Sequence, residues 1–203
     1  NGIPGATYTE IDINGDGDPD DIILITNRKT GNYKITVIPE PDAEPADTYT
    51  LEVSTNDTVI ILAEDVAIGD IPDKPYVIES TELEIVEIIP ATINFNPNTL
   101  NKKSKGKWVT VYVELPGRYN VADIDVDTIK LNDQVHAEMT PIEIGDYDDD
   151  GIIDLMVKFD RQAVIDMLPI GDIVTIIVTG RLIDETPFEG SDTTRVKGKG
   201  KDE

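Results

Sequence analysis

Apolar and polar residues alternate along this chain in runs of only five to eight residues, and Gly, Pro, Asn or Asp breaks each run. The clearest runs are Tyr33-Lys34-Ile35-Thr36-Val37 and Val109-Thr110-Val111-Tyr112-Val113. A period of two sends successive side chains to opposite faces of an extended strand, so one face meets a core and the other meets water. Antiparallel sheets stacked face to face satisfy that pattern. Strand signals rich in Val, Ile, Thr and Tyr fall at 6–11, 21–26, 33–38, 49–53, 58–62, 92–95, 108–115, 128–131, 152–159, 172–179 and 193–196. One segment reads as a helix: 160–168, with Asp160 as N-cap, Val164, Ile165, Met167 and Leu168 near one face, and Pro169 as the stop. A short turn is expected at 121–123.

The 203 residues suffice for two domains of about 100 residues each. Aromatic residues make up only 5%, so Ile and Val must fill the core. Residues 80–91 alternate acidic and apolar side chains up to Pro90, as a rigid linker or a strand shared between domains would. The expected architecture is all-β: two Ig-like antiparallel β-sandwich domains, 1–82 and 83–203, with one short helix in the second.

Charge narrows the function. There are 17 Lys+Arg against 41 Asp+Glu, a formal net charge of −24. Such a field repels phosphate, so nucleic acid is not an expected partner. No apolar run approaches the roughly 20 residues that span a bilayer. Without cysteine there are no disulfides, thiolate metal sites or cysteine nucleophiles. His136, the single histidine, excludes a multi-histidine metal site. Residues 1–90 hold 4 basic and 20 acidic residues, and residues 91–203 hold 13 and 21. In the second half Lys102, Lys103, Lys105 and Lys107 cluster before Trp108, and Arg195, Lys197, Lys199 and Lys201 form a tail. The ordinary reading is a solvated loop and a frayed terminus. The sharper one is contact with the acidic first domain of a neighbouring molecule.

Two loops carry the chemistry. One runs Asp12-Ile13-Asn14-Gly15-Asp16-Gly17-Asp18-Pro19-Asp20, followed by Asp21. The other runs Asp146-Tyr147-Asp148-Asp149-Asp150-Gly151-Ile152-Ile153-Asp154. Both open like an EF-hand calcium loop. Side chains at positions 1, 3 and 5 converge when the chain wraps around a point, and Gly at position 6 permits the turn. Position 7 offers a backbone carbonyl, and position 9 a carboxylate. The expected ligands are therefore Asp12, Asn14, Asp16, Asp18, Asp20 and Asp21 in the first loop. In the second they are Asp146, Asp148, Asp150, Ile152 through its carbonyl, and Asp154. Calcium accepts six to eight oxygens in irregular geometry, magnesium resists that dehydration, and zinc prefers nitrogen or sulfur. Position 12 is Ile23 or Val157 rather than Glu, and the flanks are strands, so these are β–loop–β sites. The competing reading is an acidic turn held by side-chain hydrogen bonds, but crowded carboxylates without a cation repel one another. Asp123, Asp125 and Asp127 alternate as well; the ordinary reading is a solvated strand face, and the sharper one is a further calcium site.

Catalytic patterns are missing. Ser191 lies outside any nucleophile elbow, and no phosphate-binding glycine loop occurs. Asn56-Asp57-Thr58 is a formal N-glycosylation sequon in an expected turn.

The order of motifs in the second half is itself informative. Lys105-Gly106-Lys107-Trp108-Val109-Thr110-Val111-Tyr112-Val113-Glu114-Leu115-Pro116 precedes Val121-Ala122-Asp123-Ile124-Asp125-Val126-Asp127, the second loop, Asp154-Leu155-Met156-Val157-Lys158-Phe159-Asp160 and Phe188-Glu189-Gly190-Ser191-Asp192. This resembles a module near the C-terminus of large secreted and cell-surface proteins of archaea and bacteria, and the loops resemble thrombospondin type 3 and FG-GAP repeats. The resemblance implies an extracellular setting and a non-catalytic role. The expected function is a secreted, calcium-stabilised building block of a filament, sheath, surface layer or adhesin. The alternative is a non-catalytic carbohydrate- or protein-binding module of a secreted enzyme. The expected partner is the chain itself, as a homo-oligomer or filament, through a strand donated from residues 1–11.

Overall fold

A computed structural model of the chain describes residues 3, 5–13, 15, 17, 19–55, 58–81 and 85–198. The sequon residues Asn56 and Asp57 lie outside them, as do Lys199 and Lys201. In chain order the strands are β1 (Ala6–Ile11), β2 (Asp20–Ile25), β3 (Gly31–Ile35), β4 (Thr48–Ser54), β5 (Val59–Ala67), β6 (Tyr76–Ser80), β7 (Ile85–Pro90) and β8 (Thr92–Asn96). They continue as β9 (Thr99–Asn101), β10 (Trp108–Glu114), β11 (Ile124–Leu131), β12 (Val135–His136), β13 (Glu138–Gly145), β14 (Asp154–Asp160), β15 (Gly171–Leu182) and β16 (Pro187–Lys197). Helix α1 (Arg161–Met167) stands alone among the described residues, and short 3-10 turns occupy Ile68–Asp70 and Val121–Asp123. The expected all-β architecture with one short helix is what forms.

Strand alternation builds the core directly. On β10, Val109, Val111 and Val113 are buried while Trp108, Thr110, Tyr112 and Glu114 stay half-exposed. One sheet has the order β13-β14-β10-β8. The other runs β12-β11-β15-β16-β7-β6-β3, with β9 also on β16. Phe95, Val111, Val157 and Phe159 from the first sheet meet Ile129, Leu131, Ile176, Val178 and Phe188 from the second. Each fully buried aliphatic or aromatic side chain contributes about 1.5–3 kcal/mol. Helix α1 closes one side of this core with Val164 and Ile165, and the Asp160 carboxylate caps it by accepting from the Ala163 amide at 2.8 Å.

The chain crosses from the second sheet to the first at Ala91, between β7 and β8. The Ala91 amide donates to the Glu189 carbonyl at 2.9 Å. A Cβ at Gly190 would collide with the Ala91 carbonyl, so only glycine admits this crossing.

The first half is built differently. β1 and β2 form a two-stranded ribbon, β4 and β5 form another, and β3 with β6 extends the second sheet. Segment 80–91, read as a linker or a shared strand, supplies β7, which pairs with β6 on one side and β16 on the other. Residues 82–84 of that segment lie outside the described residues. Within residues 1–11, proposed for strand donation, Ala6–Ile11 pairs antiparallel with β2 of its own chain. Asn1, Gly2 and Pro4 are not described. No helix is long and apolar enough to cross a membrane among the described residues.

Candidate metal centre

The second Asp-rich loop joins β13 to β14 at one end of the first sheet. Its stem closes on the pair Gly145↔Asp154. Positive φ at Asp149 (61°) and Gly151 (91°) turns the chain back on itself. Asp146 then accepts from the Asp150 amide at 3.2 Å through one oxygen and from the Gly151 amide at 3.0 Å through the other. Asp154 accepts from the Tyr147 amide at 3.0 Å, and Asp150 from the Ile152 amide at 2.8 Å. Side chains at positions 1 and 9 thus hold the backbone of positions 5, 6 and 2.

Carboxylates converge inside this frame. Oxygens of Asp146, Asp148 and Asp154 lie within 4.8 Å of one another. Oxygens of Glu114, Asp148 and Asp150 do so as well, and Asp148 belongs to both sets. Either group can hold a metal ion. Glu114 did not emerge from the loop pattern. It ends β10, directly opposite Asp154 across the β10–β14 pairing. Asp149, at position 4, is exposed and joins neither group. Ile152 is an exposed loop residue whose amide is bound by Asp150.

The electrostatics are those of a crowded anionic site. Asp154 is only 6% exposed. Burial pushes its carboxyl above the ordinary carboxylate range; the Tyr147 amide pulls it back, while Asp148, Asp150 and Asp146 push it further up. Glu114 is also raised, first by burial and then by Asp150, against a lowering hydrogen bond from Thr92. A cation at either group would offset the repulsion among these carboxylates. The donors are oxygens throughout, a set that suits a hard cation.

The first loop, on the β1–β2 ribbon, shares the bonds from position 9 to position 2 and from position 1 to position 6. Its position-1 carboxylate also takes the amide at position 4, where the second loop takes the one at position 5. Its stem closes on Ile11↔Asp20. Asp12 accepts from the Gly15 amide and, at 3.1 Å, from the Gly17 amide; Asp20 accepts from the Ile13 amide at 2.9 Å. Gly15 (81°) and Gly17 (98°) carry the positive φ values at positions 4 and 6. Of the expected ligands, Asn14, Asp16 and Asp18 lie outside the described residues. Asp21 does not share a face with Asp20. The Tyr8 hydroxyl lies 2.6 Å from Asp21 and 2.7 Å from Glu10, one proton shared between two carboxylates.

The remaining sequence features are placed plainly. Asp125 and Asp127 are exposed on β11, and His136 is exposed on β12. Trp108 is half-buried under the Lys107 ammonium, 4.2 Å from the ring centroid. Compared with family models and with curated proteins, the chain matches none.

Proposed function

We propose that this chain is a calcium-stabilised structural module of an extracellular or cell-surface assembly. The observation carrying the reading is the recurrence of one loop frame on two different stems, each with carboxylates at positions 1 and 9 at the mouth of a β-hairpin. A bound calcium would cross-link the ends of the two stem strands. In the second loop it would also tie in β10 through Glu114. That is the work a disulfide does elsewhere, and this chain has no cysteine. Weak calcium sites of this oxygen-rich kind fill at the millimolar concentrations found outside cells. The resemblance of the second half to modules of secreted and surface proteins points the same way, as does the acidic surface, which suits a setting rich in divalent cations.

The test is a pair of thermal melts, one in chelator and one in millimolar calcium, with magnesium as control. The expected result is a higher melting temperature in calcium and little response to magnesium. Identical melts would leave the loops as metal-free turns and remove the reading.

A further inference from the structure

Folding gathers cations that the sequence scatters. β9 lies parallel to the end of β16, with the pairs Arg195↔Thr99 and Lys197↔Asn101. The Lys102 amide donates to the Lys197 carbonyl at 3.0 Å. The loop then runs through Lys103 and Lys105 to Lys107, whose carbonyl accepts from the Arg161 amide at 3.0 Å. Segments 102–107, 161 and 195–197 therefore meet at one end of the sandwich, in a chain of net charge −24. Arg195 is paired with Asp172 at 2.8 Å. No ion pair involves Lys102, Lys103, Lys105 or Lys197 among the described residues. Beside them Ile170 and Ile173 stand 67% and 81% exposed. The end is an apolar spot with a lysine rim.

A complementary surface lies toward the other end. β10 runs away from the lysine end, and Arg118, just beyond it, binds the Ile61 carbonyl on β5 and the Glu87 carboxylate. That seats the β4–β5 ribbon at the far end of β10. One face of the ribbon exposes Val59 and Ile61 at 60% and 46%. Glu52 stands directly across from Ile61, and Glu64 and Asp65 are exposed nearby. Residues 48–67 contain neither Lys nor Arg. This is an apolar spot with a carboxylate rim, the anatomy expected of the matching half of an interface.

We propose that the lysine-rimmed end docks on the Glu52–Ile61 face of a second copy, head to tail. The proposal rests on the building-block reading and names its partner. The contact is heterologous, so it repeats into a filament or ring. The net negative charge does not forbid it. The 11 residues of β16 span about 36 Å, several times the roughly 8 Å over which charge is felt at physiological salt. Only the facing ends interact, and those are opposite in sign. A long polyanion, by contrast, would have to extend over the acidic remainder of the molecule, which repels it.

The experiment uses the full chain in millimolar calcium, with mass followed by light scattering against concentration. Wild type is expected to assemble, and to dissociate as salt rises from about 0.05 to 0.5 M. Lys103→Glu/Lys105→Glu/Lys197→Glu and Glu52→Lys/Glu64→Lys, each melting like wild type, should both weaken assembly at least tenfold. Ile173→Ser, a single change at an exposed position, should weaken it too. Mixing the two charge-reversed variants should restore assembly, because each then carries what the other lacks. A monomeric wild type at all concentrations, unaffected variants, indifference to salt, or a mixture that stays monomeric would each overturn the proposal. So would assembly that appears only with an added anionic polysaccharide. A calcium-dependent melt with no assembly removes this inference alone; assembly with a calcium-independent melt removes the calcium reading alone.

Discussion

The two Asp-rich loops share a backbone frame and differ in everything beneath it. In each, the carboxylate at position 9 holds the amide at position 2, and the carboxylate at position 1 holds the amide at position 6. The second loop stands on β14, a mostly buried inner strand of a four-stranded sheet, and β10 brings Glu114 to its mouth. The first stands on a ribbon of two strands that, among the described residues, pair only with each other and expose Tyr8, Ile11, Ile23 and Leu24. A two-stranded ribbon alone is marginal in water. Local sequence thus sets the frame of such a loop, while the surrounding sheet sets how firmly its carboxylates are held. The second loop should bind calcium more tightly, because its ligands are fixed before the ion arrives and a carboxylate from another strand joins them.

The largest expected effect is calcium itself. Saturation at about one hundred times the dissociation constant adds about 2.7 kcal/mol, or roughly 5–10 °C in a chain of this size. Asp150→Ala should abolish most of that shift, and Asp12→Ala only a minor part, as read by melts in chelator and in calcium. Equal losses would mean that the supporting sheet is irrelevant.

Next comes the carboxylate at position 9. Asp154→Ala leaves the part-buried Tyr147 amide without its acceptor and should cost about 1–2 kcal/mol in denaturant titration, even in chelator. Asp20→Ala, on the exposed ribbon, should cost about 1 kcal/mol or less.

Position 4 gives a smaller contrast. Asp149 sits at φ 61° where the first loop has Gly15 at 81°. Asp149→Gly should be neutral or slightly stabilising, whereas Asp149→Ala should cost about 1 kcal/mol of backbone strain with little change in calcium affinity. Loss of affinity in Asp149→Gly would place this side chain among the ligands.

The smallest effect is the pH response. Glu114 and Asp154 are both held above the ordinary carboxylate range. An acid raised in the folded state contributes stability that is full below its unfolded value and lost as pH rises through its folded value. In chelator, these two groups should therefore make the chain more stable at mildly acid pH than at neutral pH. In calcium the sign reverses, because acidification protonates the ligands and releases the ion. Glu114→Gln/Asp154→Asn should flatten the chelator profile; an unchanged profile would show that the two groups are not raised.

Much of the fold was legible, because alternation is a local property. Val109, Val111 and Val113 point inward as written, and Asp160 caps α1 where the pattern placed it. The frame of both loops was legible for the same reason: Gly17 and Gly151 mark the positions that need positive φ. Glu114 was not. It lies far from the loop in sequence and reaches it only through the β10–β14 register. The different support beneath the two loops was hidden for a related reason. That β14 also pairs with β10, while no third described strand joins β1 and β2, depends on non-local strand choice, which period and composition do not encode. The lysine end was visible only as two separate clusters until β9 and β16 paired.

The most direct test is a calcium titration by calorimetry on the intact chain, on Asp150→Ala and on Asp12→Ala. Two binding events are expected for the intact chain, the tighter one lost in Asp150→Ala and the weaker one lost in Asp12→Ala. Absence of binding, or loss of the tighter event in Asp12→Ala, would contradict the account.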